Sequence, residues 1–261
     1  MGKEYIGELQ VASKGLLYDE KFPSGKLHVE PWGTQEERLL ISPNIDYDEV
    51  IDRLVKRLTD CPIPADDLTL PDRQHIFIYM RCLSFGGDYS FFFQCSECKE
   101  KVKHSMDLEK ELDVKYADDP ELLSSLGFDD AEDFKEPFEF VLPLKQQRVG
   151  WRMLRGKDER KVKKYVQKMT KRHGSDERYD YIYRAALRIV SVDGKDLEIT
   201  DKLSFVSSLK GKDALAIRQA VDKVDFGLDT ELEVKCRSCG YPNDLIMPID
   251  KSFFRPERSV I

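Results

Sequence analysis

A chain of 261 residues with 41 % hydrophobic and 10 % aromatic side chains carries enough apolar mass for a substantial core. Its formal net charge of −7 argues against a dedicated nucleic-acid binder, because contact with a polyanion draws on an excess of cations. No apolar run approaches the roughly 18 residues of a membrane span, and Met1–Tyr5 lacks the apolar core of a signal peptide.

That absence makes a reducing cytoplasm the expected setting, where paired cysteines read as metal ligands before disulfides. Turn signals crowd the first 45 residues at Pro23-Ser24-Gly25, Pro31-Trp32-Gly33 and Ser42-Pro43-Asn44, with short strands such as Lys26–Val29 between them. Val50, Ile51, Leu54, Val55 and Leu58 recur on one helical face, with Asn44 or Asp46 as the cap and Pro62 and Pro64 beyond the end. A second helix is expected from Pro71-Asp72, burying Ile76, Phe77, Tyr79, Met80 and Leu83. Gly86-Gly87 breaks it. Tyr89, Phe91 and Phe93 then alternate as a strand, Cys95-Ser96-Glu97-Cys98 turns, and Val102, His104 and Met106 alternate on the way out. The result is a hairpin with a CxxC at its tip.

The middle differs in charge. Residues 107–137 hold 12 acidic and 3 basic side chains, and residues 145–172 hold 12 basic and 2 acidic. Strands are expected over Phe138–Leu142 and Arg148–Leu154, and a helix over Lys157–Lys171 with its acids in the first turn. The two charged segments are expected to face each other or to face oppositely charged partners. Further helices are expected over Tyr179–Val190, Asp201–Leu209 and Lys212–Val224. Glu231–Lys235 and Leu245–Ile249 read as strands around Cys236-Arg237-Ser238-Cys239-Gly240, a second CxxC hairpin.

Two CxxC turns supply four soft thiolates, the donor set of a closed structural zinc site at Cys95, Cys98, Cys236 and Cys239. Gly240 suits a positive φ just after the second pair, whereas Lys99 holds that place in the first. A thioredoxin-type redox motif would need a helix after the CxxC, and strands flank both pairs here. Cys61 and Cys82 have no such partner and read as buried thiols. A deaminase-like site built on His28-Val29-Glu30 with Cys95 and Cys98 is a rival reading. It would leave Cys236 and Cys239 unused and would set Pro31 against the helix it requires. His75, His104 and His173 read as structural or solvated.

The order of several short pieces carries more information than any one of them. Leu16-Leu17-Tyr18 comes first, followed by Asp67-Leu68, Asp72-Arg73, Met80-Arg81, Ser84-Phe85-Gly86 and Tyr89-Ser90-Phe91 before the first CxxC. Leu142-Pro143 precedes Leu154-Arg155-Gly156-Lys157-Asp158-Glu159. Asp225-Phe226-Gly227-Leu228-Asp229, the second CxxC-Gly, Pro248-Ile249-Asp250 and Phe253-Phe254-Arg255-Pro256 close the series. This order resembles the base plate protein family of T-even-like bacteriophages, whose members act at the central hub of the contractile tail baseplate. The resemblance runs from about Leu16 to Pro256. It implies hub structure or hub assembly, other hub and tail proteins as partners, and no catalytic residue. Zinc rests on the cysteine spacing.

The expected fold is α+β: a zinc-ribbon-like pair of hairpins, surrounding helices and an inserted α+β module. Its parts are 1–106, 107–200 and 201–261. The expected function is a non-enzymatic structural or chaperone-like assembly protein with structural Zn2+. It would be found in the host cytoplasm during assembly or in the virion, without membrane, nucleic-acid or small-molecule partners. A zinc-ribbon nucleic-acid adaptor and a zinc hydrolase or deaminase are the alternatives. Phe253, Phe254 and Arg255 are expected to anchor a partner, with one ring pointing inward and the other outward if the last strand continues.

Overall fold

The computed structural model describes residues 6–40, 47–173, 179–249 and 253. Strand β1 (Gly7–Gln10) pairs antiparallel with β2 (Lys26–Val29), and α1 (Thr34–Leu40) and α2 (Tyr47–Leu58) follow. Helix α2 buries Val50, Leu54, Val55 and Leu58, the stripe expected from the sequence. Its expected caps, Asn44 and Asp46, lie outside the described residues.

Helix α3 (Leu70–Phe85) is the centre of the molecule. Thr69 Oγ1 caps it by accepting from the Asp72 amide, Pro71 sits in its first turn, and Gly86 at φ 79° ends it. Leu9, Leu27, Val29, Trp32 and the α2 stripe pack with Ile76, Phe77 and Met80 of α3 in the main apolar core. That core also takes in strands β3 (Asp88–Gln94) and β4 (Lys101–Asp107) through Phe91, Phe93 and Val102.

Short elements α4 (Leu108–Glu111), β5 (Val114–Lys115) and α5 (Pro120–Leu126) lead to a four-stranded antiparallel sheet. Its strands, in order, are β6 (Phe138–Val141), β7 (Arg148–Trp151), β8 (Ile189–Val192) and β9 (Lys195–Asp196). Helices α6 (Gly156–His173) and α7 (Tyr179–Arg188) connect β7 to β8. The helix expected to run to Val190 stops at Arg188. Ile189, Val190 and Val192 are β-branched and precede the Asp193-Gly194 turn, so they pair in the sheet instead. Helices α8 (Ile199–Ser207) and α9 (Gly211–Lys223), then β10 (Gly227–Leu228), β11 (Glu231–Lys235) and β12 (Pro242–Ile246), complete the described chain. Strand β12 starts three residues before the expected Leu245, because the tight turn brings Pro242 opposite Lys235. A second core joins Ala12 and Leu17 to Phe134, Phe138, Trp151 and Phe226.

A buried polar junction ties these parts together. Asp72 accepts from the Ser13 amide at 2.8 Å and from Tyr18 Oη at 2.5 Å, while Tyr18 Oη accepts from the Thr69 amide at 2.9 Å. Burial raises both the Asp72 carboxyl and the Tyr18 hydroxyl above their usual ranges. Arg155 donates to Leu17 O at 3.3 Å and to Glu136 at 2.6 Å. The Gly156 amide reaches Leu68 O at 3.1 Å, and a Cβ on Gly156 would lie 2.9 Å from Ala65 O. Gly227, at φ 125°, stands against Pro71 where a Cβ would come within 2.9 Å.

The basic helix α6 does not lie along the acidic 107–137 segment. Its first half pairs with the N-terminal region. Lys157 meets Asp67 at 2.7 Å, Arg160 meets Asp52 and Asp66, and Lys163 meets Asp48. Arg73 of α3, buried beneath, donates to Asp48 and Asp52 at 2.8 Å each. Among the described residues, the ion pair between the two charged segments is Glu136 with Arg155, and the Met153 amide donates to the same carboxylate at 2.6 Å. The expected mutual facing is thus largely replaced by pairing to α2.

His75 of α3 is buried, and burial pushes its imidazole down to about 4. The folded state therefore keeps it neutral, while the unfolded chain binds a proton near 6.5. Stability is full above that value and falls as pH drops from 6.5 towards 4, by up to roughly 3 kcal/mol. Urea melts of His75→Phe across that window should show a flatter pH dependence than the parent; an unchanged slope would assign the acid sensitivity to other groups.

Candidate metal centre

Each cysteine pair is presented by the same local device. In the first hairpin the Cys95 amide donates to Glu100 O at 2.9 Å and the Lys99 amide to Cys95 O at 3.1 Å. In the second, the Cys236 amide donates to Tyr241 O at 2.9 Å and the Gly240 amide to Cys236 O at 2.8 Å. The residue after each second cysteine is left-handed, Lys99 at φ 61° and Gly240 at φ 76°. Lysine accepts the conformation that glycine adopts freely, so the two turns match despite the sequence difference.

The turns meet head to head. Cys95 Sγ lies 3.7 Å from Cys239 Sγ, and Cys98 Sγ lies 3.8 Å from Cys236 Sγ. All four sulfurs fall within 4.8 Å of one another. A disulfide would need about 2.05 Å. Zn–S bonds of about 2.3 Å in a tetrahedron space the sulfurs about 3.8 Å apart. Cys95 and Cys236 are buried, and Cys98 and Cys239 reach the surface.

The thiols ionise unequally. Burial opposes the Cys95 thiolate, but the amides of Cys98 and Glu97 outweigh it and bring the group down to about 6. At Cys98 the Glu100 amide favours the thiolate, yet burial and the neighbouring sulfurs of Cys239, Cys95 and Cys236 push it up to about 12. Sulfurs this close repel as anions, and a divalent cation at their centre removes that repulsion. The donor set fits zinc.

Asn243, on β12, was missed in the sequence. Its Oδ1 accepts from the Ser96 amide at 2.8 Å and Ser96 Oγ at 3.0 Å, and its Nδ2 donates to Tyr241 O at 2.9 Å and points at Cys95 Sγ at 3.7 Å. One buried amide thus clamps the first turn to the second and supports a ligand sulfur. The sequence starts the expected strand at Leu245 and leaves Asn243 in the turn, so nothing there marks it as inward-facing; the fold puts it on β12 opposite Val234. Asn243→Ala strands the Ser96 amide, which should cost about 1–3 kcal/mol and weaken metal affinity roughly 10–100-fold in a competition titration with a chelator. Unchanged affinity would reduce Asn243 to packing.

The other expected site residues are elsewhere. His28 sits on strand β2, not on a helix, and its Nδ1 meets Asp60 Oδ2 at 2.8 Å. Among the described residues, the metal-competent cluster consists of the cysteines alone. Cys82 is buried and Cys61 half-buried. Strand β12 ends at Ile246, so the condition of a strand running on to Phe253 is not met. Phe253 is fully buried, stacked on Phe77 at 5.8 Å and edge-on to Tyr89 at 5.3 Å, with its carbonyl accepting from Arg81 Nε at 3.3 Å. Phe253 is thus the inward ring of the pair, packed in the core and not available to a partner. Phe254 and Arg255 lie outside the described residues.

Among the described residues, no helix is long and apolar enough to cross a membrane. A family model described as T4 bacteriophage base plate protein matches residues 17–255. No curated protein and no solved structure matches the chain.

Proposed function

Since the chain belongs to the T4 bacteriophage base plate protein family, we propose that this baseplate structural protein works at the hub of the contractile tail, without enzymatic activity. The observation that carries the reading is a family match spanning nearly the whole chain. A structural Zn2+ held by Cys95, Cys98, Cys236 and Cys239 would lock the two hairpins against α3. The sulfur spacing supports that part of the reading. Segment 107–200 is proposed as a module inserted between the zinc hairpins, with 1–106 and 201–261 forming the remainder. Its partners are other baseplate and tail proteins, met in the host cytoplasm during assembly, and Phe254 with Arg255 remains the proposed anchor.

Mass spectrometry of purified particles and of isolated assembly intermediates tests the reading. A fixed copy number in particles identifies a virion component. Presence only in hub intermediates identifies a chaperone-like assembly factor. Absence from both overturns the hub role.

A further inference from the structure

The second half of α6 is left over once its first half has paired with the acids near α2. Lys164, Lys168, Lys171 and Arg172 recur at i, i+4, i+7 and i+8, so they share one face, and all four are exposed. Among the described residues none of them has an acidic partner. The apolar residues of the helix, Val162, Val166 and Met169, lie on the other side. Tyr165, its one aromatic residue, is stacked on Tyr183 with ring centroids 4.1 Å apart, so one of its two faces is already taken.

A surface of opposite sign lies on the same chain. Glu121 on α5 and Asp129, Glu132 and Asp133 in the turns after it are all exposed and likewise without a basic partner among the described residues. Asp119 and Asp130 beside them cap backbone amides and add to the negative field. Among the described residues, the ion pairs of α6 cations outside the helix go to Asp48, Asp52, Asp66 and Asp67, and none joins these two complementary surfaces within one chain.

We propose that the outward face of α6 docks onto the acidic α5 surface of a second copy of this chain. The two patches differ, so the contact is head-to-tail: each copy in a pair keeps one free patch of each sign, and addition continues until a ring closes. Bulk repulsion from the net charge of −7 does not forbid it. At about 0.1 M salt the Debye length is about 10 Å, so the charges at the contact dominate those farther away. Single exposed pairs contribute little, and the set acts mainly on association rate and register. This surface is independent of the zinc site and of the hub assignment.

The test is a charge swap on the full-length, metal-loaded protein, followed by sedimentation and light scattering. The parent should self-associate at about 0.05 M salt and weaken at least tenfold by about 0.5 M. Lys164→Glu/Lys168→Glu/Lys171→Glu should be monomeric, and so should Asp129→Lys/Glu132→Lys/Asp133→Lys. Mixing the two variants should restore association, because each reversed patch then meets its complement; this also shows that both are folded. A parent that stays monomeric at low salt, or a mixture that does not associate, overturns the proposal. It is equally overturned if the parent binds a single-stranded oligonucleotide through Lys164, Lys168 and Lys171 while remaining monomeric.

Discussion

Cys236→Ser should lose its zinc and both hairpins with it. The parent should carry one zinc per chain by elemental analysis, and the variant close to none. Structural zinc sites of this donor type contribute about 10–16 kcal/mol of apparent binding free energy, which is shared with folding. Typical domain stabilities are only about 5–15 kcal/mol, so losing the metal is a loss on the scale of the whole fold. The buried Cys236 and Cys95 sulfurs belong to the same apolar cluster as Phe91, Phe93, Val234 and Met247. Melting of the hairpins therefore opens the face of α3 that they cover. Cys61→Ser is the control: Cys61 is a lone half-buried thiol, and its replacement should leave the metal content intact. Full zinc in Cys236→Ser, or iron in place of zinc in the parent, would sink the assignment.

Arg73→Met should be the most damaging change remote from the metal. Arg73 is buried and forks between Asp48 and Asp52, which Lys163 and Arg160 also reach from α6. Burial alone would raise the Asp48 carboxyl, but its bonds to Lys163 and Arg73 outweigh burial and hold it below the usual carboxylate range. Removing the guanidinium leaves Asp48 and Asp52 with only the cations of α6, Lys163 and Arg160, as partners, a loss of about 3 kcal/mol, the low end for breaking a buried pair, or roughly 10 °C in melting temperature for a chain of this size. Arg73→Lys keeps the charge without the fork and should fall between. The sign with pH follows from the depressed carboxyl. Its stabilisation is present above the ordinary value of 3.8 and is lost as pH falls through the lower folded value. Arg73→Met should show less of that acid loss than the parent. A melting shift of only a degree or two would show that α6 holds α2 without the arginine.

The parts of this molecule that could be read in the sequence are those whose cause is local. A CxxC turn is fixed by a few consecutive residues, so both knuckles were visible, as were the α2 stripe and the Pro71-Asp72 start of α3; the Thr69 cap just before it emerges only in the fold. The end of α7 was misplaced because Ile189 and Val190 continue a helical apolar pattern and are claimed by the sheet only through β7. Asn243 was invisible because its partners, Ser96 and Cys95, stand 147 and 148 residues away. The ionic contacts of α6 were misassigned for a similar reason: the nearest acidic run in sequence is not the nearest in space. The family-like pieces Leu16–Tyr18, Asp67-Leu68, Asp72-Arg73, Leu154–Glu159 and Asp225–Asp229 looked scattered. In the fold many of them meet at the buried junction around Asp72, Tyr18, Arg155 and Gly227. Their order records a scaffold.

The distance between the two knuckles also sets a schedule. Between Cys98 and Cys236 lie 137 residues. At a synthesis rate of about 5–20 residues per second, the ribosome releases the second pair roughly 7–30 s after the first. Throughout that interval Cys95 and Cys98 are a two-sulfur half-site on a hairpin whose α3 backing has already been made. The closing sulfurs arrive after the charged middle and its sheet, so capture of a metal by all four would come at the end of folding. A nascent chain halted before Cys236 carries every residue of α3 and α6 but lacks the second pair of sulfurs that would close on its first hairpin.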